Sequence, residues 1–392
     1  MPRTYDVAIV GGGPAGVSTA LFLLHRRPEL ARRIVVLEQA TFPRDKFCAG
    51  AIGARADAWL SEIGVQVDVP SVWVDGMSIA VTGGTARSRL GRIGRIVRRM
   101  EFDHALVRTL MARGVQVVEG VRVTALTPGP DAVRLDTSAG PFLARAVVGA
   151  DGVGSIVRRS LGLPFGGLHA QVAEVDTEPV PGDPPRDVLH FDASDRSFTG
   201  YAWDFPTLVE GKALVCRGVY VLGMGRVPEA DATQLLAGRL SERGLHLQDY
   251  RVKRFSERGF EVHRPFAAHR VLLVGEAAGI DPIFGEGIAQ AIAYGKLAGD
   301  YLATRLGRRE LRFDDWTRHV ALSALGMDLT SRGMLVSKFY GKLRPVVERL
   351  LLAMPDTMHL TMSVFAGRPI TLGTLARVAS ASGLRLAGKW TR

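Results

Sequence analysis

A chain of 392 residues exceeds what one hydrophobic core ordinarily organises and points to about two domains. Its composition, 47% hydrophobic and 23% charged, excludes bulk disorder, and two cysteines, Cys48 and Cys216, exclude a disulfide framework and a zinc site. The net charge of +11 admits an anionic partner, but the basic residues are scattered without interleaved aromatics, which excludes nucleic acid and leaves peripheral contact with anionic lipid or an acidic acyl carrier.

The first residues run straight into an apolar strand, without the charged and apolar regions of a signal peptide. No stretch reaches the roughly 18 uncharged apolar residues of a spanning helix. A cytoplasmic, soluble protein is expected, at most held peripherally at a membrane. Residues 7–10, Val-Ala-Ile-Val, suit a buried parallel strand. They lead into Gly11, Gly12, Gly13, Pro14, Ala15 and Gly16, then an apolar helix from Val17. Strand, G-x-G-x-x-G and helix in that order predict a dinucleotide site. Gly11 serves the tight turn, Gly13 the approach of a pyrophosphate, and Gly16 close helix–strand packing. The helix N-terminus offers N–H groups and a positive dipole end to the phosphates. A second strand, 33–37, ends at Glu38, which lies 22 residues after Gly16 and suits a ribose diol.

Further along come Phe42-Pro43-Arg44-Asp45-Lys46-Phe47-Cys48-Ala49-Gly50, then Arg99 ahead of Phe102 and Asp103 at a predicted helix start. Gly149-Ala150-Asp151-Gly152 follows a strand pattern. The stretch 166–259 reads as antiparallel sheet, with strands near 187–191, 200–205 and 213–222 and one helix over 231–243. Tyr201, Trp203 and Phe205 alternate at period two. Such a face either walls a pocket for a long apolar or ring-shaped substrate or packs as ordinary sheet core. A strand at 271–274 leads into Gly275 and Glu276, followed by Pro282, Gly285, Gly287 and Ile288 at another helix start. Helices are predicted over 316–327, 334–353 and 372–386. The nine histidines show no metal-ligand spacing, and His263 and His269 read as loop residues.

The segments at Asp151, at Glu276 to Ile288 and at Arg99 resemble the D-G, G-D and R-x-x-F-D motifs of flavoprotein hydroxylases and their relatives. The segment 42–50 and Tyr201-Ala-Trp203-Asp-Phe205-Pro206 resemble the P-R-x-K-x-C-G-G and Y-x-W-x-F-P signatures of the geranylgeranyl reductase family within that superfamily. Glu276 stands where the family carries Asp, and Ala49 where it carries Gly. The resemblance implies an α/β fold: a Rossmann-type, hydroxylase-like FAD-binding domain (1–75, 100–165 and 260–305), an antiparallel β-sheet substrate domain (76–99 and 166–259) and C-terminal helices (306–392). It also implies that Lys46, Cys48, Ala49, Arg99, Val123, Asp151, Glu276, Pro282, Gly285, Gly287 and Ile288 join Gly11, Gly13, Pro14, Ala15, Gly16 and Glu38 around FAD. Cys48, Tyr201 and Trp203 become the candidate catalytic or substrate-pocket residues. Cys48 reads equally as a reactive thiol and as a small buried hydrophobe.

The resemblance implies a flavin enzyme that draws electrons from NAD(P)H, directly or through a partner reductase. Two chemistries follow for a lipophilic substrate. One is reduction of isoprenoid C=C bonds, favoured by the Cys48 and Trp203 segments. The other is oxygenation of an aromatic, polyketide-like or prenylated compound. A halogenase is disfavoured because no W-x-W-x-I-P element occurs. A non-catalytic, FAD-binding electron relay is a third class, against which the helix start at Gly285 to Ile288 argues.

Overall fold

Residues 7–10 and 34–37 are apolar throughout, so both suit a sheet covered on two faces. In the computed structural model, which describes residues 4–225, 230–308, 311–354 and 357–370, they become β1 (Thr4–Val10) and β2 (Ile34–Leu37). These pair in parallel, with Val7 opposite Ile34 and Val10 opposite Leu37. β6 (Gln116–Val118) extends the sheet beyond β2, and β9 (Phe142–Gly149) and β16 (Val271–Leu273) extend it on the other side, all in parallel. β15 (Ala267–Ala268) closes that edge antiparallel, and the hairpin of β7 (Val123–Pro128) and β8 (Val133–Thr137) hangs from β9. Helices α1 (Pro14–Arg26), α3 (Arg99–Ala112) and α6 (Ile288–Arg305) share one core with this sheet, including Ile9, Leu21, Phe102 and Tyr294.

The second sheet runs β14 (Lys253–Arg258), β10 (Leu168–Thr177), β13 (Lys212–Met224), β12 (Gly200–Val209), β11 (Val188–Asp192), β4 (Ser71–Val81), β5 (Gly84–Val97) and β3 (Ala51–Gly53). It is antiparallel except where β11 meets β4. It takes 51–53 and 71–75 from the stretch 1–75 expected in the nucleotide-binding domain. Period-two alternation sends Tyr201, Trp203 and Phe205 to one face, with Met358, Met362 and Phe365 of α10 (Met358–Ala366). Ala202, Val219 and Val221 go to the other face, under Leu236 and Leu240 of α5 (Ala232–Ser241). Asp231 caps α5 rather than beginning it, its carboxylate accepting from the Thr233 N–H at 2.7 Å.

The helix predicted from Phe102 starts earlier, so Arg99 is its first residue. The two helices predicted over 316–353 are three: α7 (Trp316–Ala321), α8 (Ala324–Phe339) and α9 (Arg344–Ala353). Ser323 caps α8 by accepting from the Gly326 N–H at 3.2 Å. Pro345 sits in the first turn of α9, where a residue without an N–H is tolerated, and so divides what read as one helix. The helix predicted over 372–386 lies outside the described residues. α2 (Ala54–Glu62) follows β3.

Candidate active site

Between β1 and α1 the chain turns at Gly11, whose φ is +108° and where a Cβ would stand 2.4 Å from the Ala150 carbonyl oxygen. Only glycine meets both conditions. Beyond it α1 begins without any side chain capping its first turn. A Cβ at Gly13 would project into open space, with the Arg44 guanidinium 3.7 Å away as its nearest neighbour. Glu38, at the end of β2, accepts the Gly12 N–H at 2.8 Å and the Ala40 N–H at 3.0 Å. Arg44 lies 3.1 Å from Asp103 and 3.8 Å from Glu38, and Arg99 grips Asp103 with two bonds of 2.7 Å. Burial works against the Arg99 charge, but Asp103 more than offsets it and raises its pKa.

Gly11, Gly13, Glu38, Arg44 and Arg99 line a cleft of about 720 Å³, together with Pro14, Ala15, Lys46, Cys48, Val123, Asp151, Glu276, Gly285, Gly287 and Ile288. Three expected cofactor residues stand elsewhere. Gly16 packs against Gly11, where a Cβ would lie 2.1 Å from the Gly11 oxygen. Ala49 lines the neighbouring cavity. Pro282 offers its carbonyl to the Tyr220 hydroxyl at 3.3 Å. Asp151 borders the cleft but spends its carboxylate locally, accepting from the Ser155 hydroxyl at 2.6 Å and the Val157 N–H at 3.1 Å. These bonds order the loop into α4 (Ile156–Ser160) at the edge of the cleft. Glu276 remains directed at the cleft; burial raises its pKa, opposed by Lys46 and Arg99. His263 and His269 border neither cavity.

A second cavity, about 580 Å³, lies between the second sheet and α8, α9 and α10. Tyr201, Trp203 and Phe205 all face it, with Phe191 set edge-on to Tyr201 and Phe205. Trp203 fits because its cross-strand partner is Gly218, where a Cβ would fall within 2.1 Å of the indole. Tyr201 donates to the Phe284 carbonyl at 2.6 Å, so its hydroxyl anchors the 282–287 loop rather than standing free. The two cavities share Cys48, Phe255, Glu257, Gly285, Gly287 and Ile288. Burial raises the Cys48 pKa, and its neutral thiol accepts the Gly50 N–H at 3.4 Å. Burial thus opposes a thiolate at Cys48, while the Arg99 cation favours one. Behind it, buried Glu174 accepts the Cys48 N–H at 3.1 Å, and burial pushes its pKa up to about 7.

The shared rim is tied down from the C-terminal side. Arg332 of α8 reaches Asp281 at 2.5 Å and Glu286 at 3.2 Å, and Arg55 of α2 meets Glu286 at 2.6 Å. Asp281 in turn accepts the Ile283 N–H at 2.7 Å. Burial opposes the charge on Arg332, yet Asp281, Glu286 and Asp328 together raise its pKa.

Residues 4–308 match the family model of the FAD binding domain. The chain belongs to this FAD-binding family. It is an FAD-dependent oxidoreductase of the monooxygenase and reductase superfamily. It is 26% identical over 320 residues to menaquinone reductase of Mycobacterium tuberculosis, covering 76% of this chain and 77% of that one. It is 28% identical over 321 residues to digeranylgeranylglycerophospholipid reductase 1 of Methanopyrus kandleri, covering 76% and 80%. The fold matches a geranylgeranyl bacteriochlorophyll reductase-like protein from Thermoplasma acidophilum, with a TM-score of 0.66, 19% identity and 96% of each chain covered. It equally matches the flavin-dependent brominase Bmp2, with a TM-score of 0.72, 17% identity and 100% of each chain covered.

The residues present fit FAD. Two helices without side-chain caps, α1 and α6, begin on one cleft, and the space beside Gly13 is open for a diphosphate. Three contributors escaped sequence reading. Arg44 stood inside a quoted motif, but its reach across to Gly13 and Asp103 depends on how the 42–50 segment folds. Glu257 sits in a strand with no motif around it. Arg332 lies in an apolar helix far along the chain, and nothing local marks it as the partner of Asp281 and Glu286.

Proposed function

We propose that this protein reduces isoprenoid C=C bonds of a lipophilic small molecule, with electrons derived from NAD(P)H directly or through a partner reductase. The observation that carries this reading is the aromatic cavity that opens onto the cleft rim at Cys48, Gly285 and Ile288. Its walls of Met77, Leu189, Phe191, Trp203 and Phe365 suit an extended hydrocarbon and exclude water from the reacting end. Bound FAD would supply two-electron transfer at its ring system. The residues that would hold it are Gly13 and the start of α1 at its phosphates and Glu38 at its ribose, with Cys48, Gly285 and Ile288 between the cleft and the aromatic cavity.

Access for such a substrate lies at α8 and α9. Leu335 and Leu343 line the cavity and are also exposed, beside exposed Val346 and Leu350 and the cations Lys338, Lys342 and Arg349. Apolar residues interleaved with cations favour an anionic membrane surface as the source of substrate, held peripherally. Among the described residues no helix is long and apolar enough to cross a membrane.

The test is to photoreduce the FAD-loaded protein and mix it with geranylgeraniol in detergent. Mass spectrometry of the lipid and flavin absorbance are then followed without and with oxygen. Gain of two hydrogens with flavin reoxidation under anaerobic conditions is expected. Gain of one oxygen, only in air, would replace this reading by a monooxygenase. No change in the lipid, with electrons passing on to a dye, would replace it by an electron relay.

A further inference from the structure

The mechanism so far leaves one group unused. Glu257 lies on β14, away from every motif, yet it borders both the flavin cleft and the aromatic cavity. Its Oε2 atom is inaccessible and has no hydrogen-bond partner. A buried carboxyl oxygen left unpaired is costly unless the group is neutral or a ligand completes it. The adjoining backbone makes room for it. At Gly285, where φ is +63°, a Cβ would come within 2.7 Å of Oε2, so glycine there keeps the carboxyl at the rim.

We propose that the Glu257 carboxyl is the proton donor of the reaction, a role that rests on the reductase reading given above. With hydride supplied by a reduced flavin to one alkene carbon, the π pair of the C=C bond would take the proton of the Glu257 carboxyl at the neighbouring carbon. Two C–H bonds form and the π bond is lost. The flavin leaves oxidised by two electrons, and Glu257 is left as a carboxylate. Water entering the cleft then returns its proton.

The groups facing Glu257 fit this task. Burial raises its pKa well above the ordinary value, and Glu276, Asp281 and Glu174 push the same way while Lys46 opposes. A carboxyl kept neutral in this manner can donate. The other hydroxyls at the rim are engaged, Tyr201 with the Phe284 carbonyl and Tyr220 with the Pro282 carbonyl, and burial raises both far above the usual tyrosine range. Cys48 is the other proton carrier at the rim: its N–H goes to Glu174 and its sulfur accepts the Gly50 N–H, which leaves the S–H as the competitor that substitution separates from Glu257.

Glu257→Gln keeps shape and burial and removes the proton. The expected result is FAD affinity within twofold of the parent and unchanged flavin reduction, with anaerobic transfer to geranylgeraniol slowed by about 100-fold or more. Cys48→Ala should slow that transfer by less than about tenfold. A second readout needs no turnover: infrared difference spectra of the protein, with and without FAD, should carry a protonated-carboxyl C=O band that shifts in D₂O and is missing from E257Q. An E257Q protein that reduces the lipid as fast as the parent, or a parent without that band, overturns the proton-donor role. A parent that adds no hydrogen to the lipid overturns the reductase reading, and the role with it.

Discussion

Along the nucleotide cleft, backbone and glycine would meet the cofactor: Gly11 turns the chain, Gly13 leaves the space, and α1 and α6 start without side-chain caps on their first N–H groups. Across the shared rim, the second cavity is walled almost wholly by side chains, from Phe191, Tyr201, Trp203 and Phe205 on the sheet to Leu335, Leu351 and Phe365 on the helices. The difference teaches how each wall tolerates change. A backbone surface admits few residues, because φ and close approach decide them. A side-chain surface admits many, provided volume and apolar character are kept. Substrate preference can therefore drift on one wall while the cofactor stays the same on the other.

Five substitutions probe this contrast. Gly11→Val forces a Cβ onto the Ala150 carbonyl at a φ that valine rejects, and should cost upwards of about 4 kcal/mol with loss of bound FAD, read from flavin absorbance of the purified protein. Arg332→Ala leaves buried Asp281 without its cation and Glu286 with Arg55 alone, and should cost about 3–5 kcal/mol in urea unfolding. If stability stays within about 1 kcal/mol of the parent, the rim is held by backbone alone and the contrast sharpens.

Trp203→Ala should cost about 3 kcal/mol, the low end for a buried tryptophan because one side of the ring already faces a cavity. FAD affinity should hold within twofold; a larger loss would mean the two walls are not independent. Glu174 gives a pH dependence. The folded carboxyl titrates at about 7 and the unfolded one near 4.5, so the folded state holds an extra proton between them. The Glu174 contribution to stability should fall as pH rises through that window, by at most about 3 kcal/mol, and Glu174→Gln should make the slope in pH-resolved thermal unfolding shallower by that share. Arg44→Gln removes the cation beside Gly13 and should weaken FAD about tenfold by fluorescence titration, with little change in stability.

Much of the cofactor wall was legible before any coordinates. Strand, glycines, helix and Glu38 follow one another within 38 residues, and local backbone requirements dictate them. The period-two aromatics likewise marked one sheet face correctly, because alternation is a property of the strand itself. Asp151 borders the cleft where it is expected, and its bonds to Ser155 and the Val157 N–H follow from a short carboxylate set next to a serine and a helix start. The break at Pro345 was overlooked inside an otherwise helical pattern.

The sequence by itself determined an FAD-binding α/β fold and an aromatic sheet, because glycine spacing and alternation act over a few residues. Only the tertiary structure decided that the two cavities share a rim, that Arg332 holds this rim from α8, and that the Glu257 Oε2 atom stands there unpaired. Those facts depend on which side chains come together from distant segments, and on how much water burial removes around each charge. Neither quantity is written in any local stretch of the chain.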